Sequence, residues 1–137
     1  MNGKTACLAL ISLSLCAQAF GVNLRERKVV VDTEKAELCL ESRCYPVLVG
    51  KDTPKGTFDL NIVKTNRRGY GGDVMKFKED KKYLYAIHRV WTLKPEERRM
   101  QRIASPNPAD RHITHGCINV TDEVYEKLKA YFVVEIR

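Results

Sequence analysis

One cysteine stands among histidines and a glycine in the run His112-Ile113-Thr114-His115-Gly116-Cys117-Ile118-Asn119. A cysteine reacts as its thiolate, and a neighbouring imidazole can take the proton or stabilise the charge. Gly116 has no Cβ, so the backbone beside the sulfur can approach another molecule closely. The N–H groups around Gly116 and Cys117 can then point at a developing oxyanion. A further histidine, His88, ends the apolar run Tyr85-Ala86-Ile87. These residue types suit nucleophilic catalysis. They also suit zinc, which takes His and Cys ligands. The spacing His-x-x-His-x-Cys, with no Cys-x-x-Cys beside it, is not a usual structural-zinc pattern, so metal is the weaker alternative.

Strands must position these groups. Val29-Val30-Val31 is a β-branched run, residues 37–41 alternate polar and apolar, and residues 45–49 continue the pattern. Residues 50–56, with Thr53-Pro54, read as a loop. Residues 57–64 alternate again, with Phe58, Leu60 and Ile62 on one face of a predicted single strand. Residues 67–73 carry three glycines and are predicted to be a loop. Residues 74–77 and 82–87 are two more strands around the polar turn Glu79-Asp80-Lys81. Residues 94–103 are predicted to be a short charged helix with Pro95 near its start. Thr121 is a good N-cap for a helix running to about Phe132, with Asp122 and Glu123 in its first turn and Val124, Leu128, Tyr131 and Phe132 as its apolar stripe. Residues 133–136 close the chain as a strand. The expected fold is a β-rich α+β domain with one clear helix on a sheet.

The N-terminus bears on compartment. Lys4, the apolar residues 6–15 and Ala17-Gln18-Ala19 have the order of a secretory signal peptide. The expected division is a signal over residues 1–19 and one catalytic domain over residues 20–137. The apolar run is too short for a membrane span. The net charge of +7 favours acidic partners, and export argues against nucleic acid. Of five cysteines, Cys7 and Cys16 lie in the signal. An odd remainder of three in an exported protein suggests one bridge and one free thiol. A two-residue turn at Glu41-Ser42 puts Cys39 opposite Cys44, about 4.5 Å apart at Cα, within reach of a disulfide. Cys117 is then the free thiol.

Thr114-His115-Gly116-Cys117-Ile118-Asn119 resembles the signature of the YkuD-like L,D-transpeptidases at all six positions. His88 resembles that family's upstream histidine, and Thr53-Pro54-Lys55-Gly56-Thr57-Phe58 its Thr-Pro-x-Gly-x-Phe segment. The resemblance runs from about Lys28 to Arg137. Two departures stand out: residues 94–112 look like an insertion, and Arg89 stands where many relatives have glycine. The resemblance implies a β-sandwich of mixed sheets with a helix beside it. It also implies an exported, periplasmic or cell-wall enzyme acting on peptidoglycan stem peptides, with no cofactor and no metal. Cys117 is implied as nucleophile and His88 as base. His115, Gly116 and Thr114 would polarise, hold the oxyanion and support the geometry. Asn119, Arg89, Arg111 and Tyr70 are the substrate-contact candidates, and Arg67, Arg68, Arg98 and Arg99 are further cations able to meet stem carboxylates. Hydrolysis on the same scaffold and a non-catalytic peptidoglycan-binding module are the alternatives.

Overall fold

Alternating apolar residues pair into three sheets in the computed structural model, which describes residues 27–137. The proposed signal peptide, with Cys7 and Cys16, lies outside the described residues. The strands are β1 (Lys28–Asp32), β2 (Glu37–Leu40), β3 (Arg43–Pro46), β4 (Val49–Gly50), β5 (Gly56–Asp59), β6 (Asn61–Lys64), β7 (Asp73–Glu79), β8 (Leu84–Arg89), β9 (His112–Thr114), β10 (Ile118–Val120) and β11 (Val133–Ile136). One sheet has the order β3-β2-β1-β11-β5 and a second β10-β8-β7-β6, while β4 and β9 form a separate pair. Both larger sheets are mixed: β1 runs parallel to β11, and β10 runs parallel to β8.

One face of each large sheet is apolar, and the two faces share one core. Val29, Val31, Leu38 and Val134 come from the first sheet, and Met75, Ile87, Ile118 and Val120 from the second. Helix α2 (Asp122–Leu128) adds Val124, Tyr125 and Leu128, all buried in the same cluster. Burying each such side chain contributes roughly 1.5–3 kcal/mol. Thr121 caps α2, its hydroxyl accepting from the Val124 amide at 3.4 Å. The helix is shorter than the apolar pattern predicts. The Tyr131 amide turns back to Leu128 O, and Phe132 O accepts from the Leu60 amide, so the chain leaves the helix and Phe132 stays exposed.

Residues 57–64 do not make one strand. Leu60 is buried and its amide bonds to Phe132 O, which breaks the run. β5 pairs with β11 in one sheet and β6 with β7 in the other. The side chains therefore change partner sheets at Leu60, and Ile62 is exposed. The predicted helix over residues 94–103 is likewise two pieces. A 3-10 turn at Pro95–Glu97 leads to α1 (Arg99–Ile103), with Arg98 between them in the left-handed region at φ 51°. A second 3-10 turn, Pro108–Arg111, delivers the chain to β9. In the β2–β3 hairpin Cys39 pairs with Cys44, Cα atoms 4.0 Å apart, and the two are joined as a disulfide.

Candidate active site

The turn that carries Cys117 is held from both sides. β9 lies parallel to β4, and Gly50 packs so tightly that a Cβ would collide with Thr114 O and the His115 carbonyl. Thr53 locks this approach: its hydroxyl accepts from the Gly50 amide at 2.9 Å, and its own amide donates to Gly50 O. The Asp52 amide donates to His115 O at 3.2 Å, and the Asp52 carboxylate lies 3.5 Å from His115 Nδ1. Thr114 Oγ1 donates to Cys117 O at 2.6 Å across the turn. Gly116 has a steric reason as well: a Cβ there would sit 2.6 Å from the Tyr85 ring.

Cys117 is the one free cysteine among the described residues and is half-buried. Its thiol donates to Leu84 O at 3.6 Å. Burial pushes the thiol above its ordinary pKa, opposed by the Ala86 amide and by the Arg99 charge. The parallel register of β8 and β10 sets Asn119 opposite His88. His88 is buried on β8, with Nδ1 2.6 Å from Arg89 O and Nε2 3.3 Å from Asn119 Nδ2. Burial and the nearby Arg99 charge outweigh the Arg89 bond and bring its pKa down to about 4. Asn119 is fully buried, and its Oδ1 accepts from the Trp91 amide and from Arg99 Nη1.

Cys117 lies where two clefts meet. One, of about 320 Å³, is lined by His88, His115, Trp91, Lys94 and Arg99 with Cys117. The other, of about 460 Å³, is lined by Lys64, Arg67, Lys82 and Val63 with Cys117. Tyr70, Tyr83, Leu84 and His88 border both. Tyr70 stands edge-on to His88 and tilted against Trp91, each with ring centroids 4.7 Å apart.

Two of the predicted contact residues are committed elsewhere. Arg111 is buried, and its guanidinium donates to the carbonyls of Lys35, Ala36 and Ser105, so it ties the second 3-10 turn to the β1–β2 connection. Arg89 bridges Asp73 and Glu126 and lies over the Tyr125 ring at 4.0 Å, clamping α2 to the sheet. Neither lines the clefts at Cys117. Asn119 is brought to the site, but as a buried partner of His88. Sequence reasoning missed Gly50 and Asp52. Both stand just before the Thr-Pro-x-Gly segment, which was the available signal. Among the described residues, no three His, Cys, Asp or Glu side chains gather into a metal-binding group.

No curated protein matches the sequence. Bd1075 of Bdellovibrio bacteriovorus has a similar fold, with 18% identity over 82% of this chain and 48% of that one and a TM-score of 0.53. A crystal structure of L,D-transpeptidase (Yku) from Stackebrandtia nassauensis aligns at 14% identity over 80% of this chain and 54% of its own, with a TM-score of 0.49. The chain thus spans about half the length of these solved structures. The family model for the YkuD L,D-transpeptidase catalytic domain matches residues 19–136, nearly the whole sequence, and the chain belongs to that family.

Proposed function

We propose that the protein is an L,D-transpeptidase that acts on peptidoglycan tetrapeptide stems through a Cys117 thioester. The observation that carries this is a free, half-buried thiol at the junction of two cation-lined clefts, in a cleft it shares with two histidines, in a YkuD-family chain. Cys117 Sγ attacks the carbonyl carbon of the third stem residue, and the thiol proton passes to His88 Nε2 as that nitrogen gives up its bond from Asn119 Nδ2. The oxyanion is held by backbone N–H groups of the His115-Gly116-Cys117 turn. Collapse breaks the C–N bond to the terminal D-alanine, which leaves with the proton from His88. An amine of a second stem then attacks the thioester carbon. The C–S bond breaks, the amine's proton returns to sulfur by way of His88, and a crosslink is formed.

Two clefts meeting at one sulfur suit a donor and an acceptor, which favours transfer over hydrolysis by water. Lys64, Arg67 and Lys82 on one side supply positive charge that draws carboxylate-bearing stems, while Arg99 and Lys94 on the other share Glu97. Peptidoglycan lies outside the cytoplasm, and the signal-like pattern of Lys4, residues 6–15 and Ala17-Gln18-Ala19 supports export to it.

Intact-protein mass after incubation with a carbapenem, an acyl donor for activated thiols of this kind, tests the nucleophile. An adduct lost in Cys117→Ala is expected. Chromatography and mass spectrometry of disaccharide-tetrapeptide digests then test the reaction. Crosslinked dimers are the expected product, and tripeptide alone would mean hydrolysis. A folded protein that forms no adduct and no product would remove the enzyme reading.

A further inference from the structure

We infer that Arg99 is a positioning residue that holds the side-chain amide of Asn119 against His88 Nε2, reinforcing the tautomer that the Arg89 carbonyl selects. The argument runs along four groups. Asn119 is fully buried. Its oxygen meets two donors, Arg99 Nη1 at 3.0 Å and the Trp91 amide at 3.2 Å. Neither has a lone pair to offer, so this end of the amide must be oxygen. The nitrogen end therefore faces His88 Nε2 at 3.3 Å. An amide nitrogen only donates, so Nε2 must carry a lone pair. At the other edge of the ring, Nδ1 lies 2.6 Å from Arg89 O, which only accepts, so Nδ1 carries the hydrogen. The bonds run in one sense, Arg99 to Asn119 to His88 to the Arg89 carbonyl. Reversing any link sets two donors or two acceptors face to face. The outcome is an imidazole whose basic nitrogen is Nε2.

Arg99 is aimed for this. Its Nε bonds Glu97 Oε2 at 2.5 Å, its side chain is 14% exposed, and Arg102 Nε grips Glu97 O at 3.0 Å. All three residues belong to the segment between β8 and β9, the stretch that looks like an insertion in the sequence. That segment therefore reaches the site from behind, through a hydrogen bond. Of the two bonds on Asn119 Oδ1, the one from Arg99 is charge-assisted and roughly twice as strong as a neutral one. Its charge also opposes protonation of His88 and favours the Cys117 thiolate. The other ionisable groups around this pair are Tyr70 at the ring edge, Tyr83, Tyr85, Lys94 and His115 on the wall of one cleft, and Lys64, Arg67 and Lys82 on that of the other.

The consequence for acyl transfer rests on Cys117 being the nucleophile, whereas the proton assignment does not. Nitrogen-15 NMR of histidine-labelled protein reads it directly. The wild type is expected to show His88 protonated at Nδ1 alone. A wild-type spectrum with the proton on Nε2 overturns the proposal, and needs no variant. In Arg99→Met, Nδ1 is expected to keep its hydrogen on the Arg89 carbonyl, while the Nε2 resonance of His88 shifts as the bond from Asn119 loosens. Alkylation of Cys117 near neutral pH is expected to slow by roughly three- to tenfold, the effect of half to one pKa unit. Arg99→Lys restores the charge without the planar fork, so alkylation should recover more than the Nε2 resonance does. If Arg99→Met does not fold, Glu97→Gln frees the guanidinium and should loosen the same bond. Folded variants that keep either the wild-type Nε2 resonance or the wild-type alkylation profile overturn the role of Arg99. Muropeptide turnover enters neither readout, so failure of the peptidoglycan assignment is seen separately.

Discussion

His88 and His115 both line the cleft of Cys117, yet they are built in opposite ways. His88 sits inside a central strand, is 3% exposed, and has a partner on each ring nitrogen. His115 sits on a turn with a half-exposed side chain, tied through its carbonyl to the Asp52 amide, its ring tilted against that of Tyr83 with centroids 4.3 Å apart. The first imidazole is fixed in tautomer as well as position; the second is fixed by its backbone. At a pKa of about 4, His88 is neutral throughout the neutral range and keeps its Nε2 lone pair. That makes it a weak base, and the role proposed for it requires a charged sulfur nearby, because an opposite charge favours the imidazolium. The difference teaches that burial fixes the protonation of an imidazole at the cost of its basicity.

The largest effect that separates the two is on turnover. His88→Ala removes the proposed proton acceptor and should lower turnover about 10²–10⁴-fold. His115→Ala should cost at least about tenfold less, since its backbone ties remain. Crosslinking rates of the two variants on one muropeptide substrate give the comparison. A near-normal His88→Ala beside an inactive His115→Ala would exchange their roles.

Much of this contrast was legible in the residues. The Thr-His-Gly-Cys run, the apolar strand ending in His88, the β-branched run in β1 and the alternation in β2 all express local chemistry. Connections between distant segments were not legible. A period of two marks residues 57–64 as extended but does not say that the partner sheet changes at Leu60. Arg89 and Arg111 look like free cations in a basic chain, and only the fold turns them inward onto Glu126 and the Lys35 carbonyl. Asp52 sits in a loop with no motif of its own, and its link to His115 exists because Gly50 lets β4 press against the signature turn. Arg99 was readable as a charge near a substrate. Its bond to Asn119 depends on how residues 94–112 return to the sheet.

The next effect is on stability against pH. His88 has a folded pKa of about 4 against an ordinary 6.5. The unfolded chain therefore binds more protons than the folded one between those values. Above pH 6.5 the group is neutral in both states and costs nothing. As pH falls through the window the folded state is progressively penalised, and the loss levels off below about 4. A shift of this size amounts to roughly 3 kcal/mol. Denaturant unfolding at a series of pH values should show the wild type losing about that much more than His88→Gln, which cannot titrate. Parallel pH curves for the two proteins would mean that His88 is solvated, and the contrast with His115 would fall.

The smallest effect is expected at Asp52, and its smallness is informative. The Asp52 carboxylate stands 3.5 Å from His115 Nδ1 with both side chains about half exposed. Exposed pairs of this kind contribute about 0.2–1 kcal/mol, so Asp52→Ala should lower turnover by less than roughly fivefold. The variant keeps the backbone bond from residue 52 to His115 O and the tilted ring contact with Tyr83. Saturating and limiting substrate concentrations separate positioning of His115 in the transition state from uniform binding. A loss as large as that of His88→Ala would mean that the carboxylate orients His115 as tightly as Asn119 orients His88. The two histidines would then be two versions of one device: a ring held by a side chain, one inside the sheet and one on the turn.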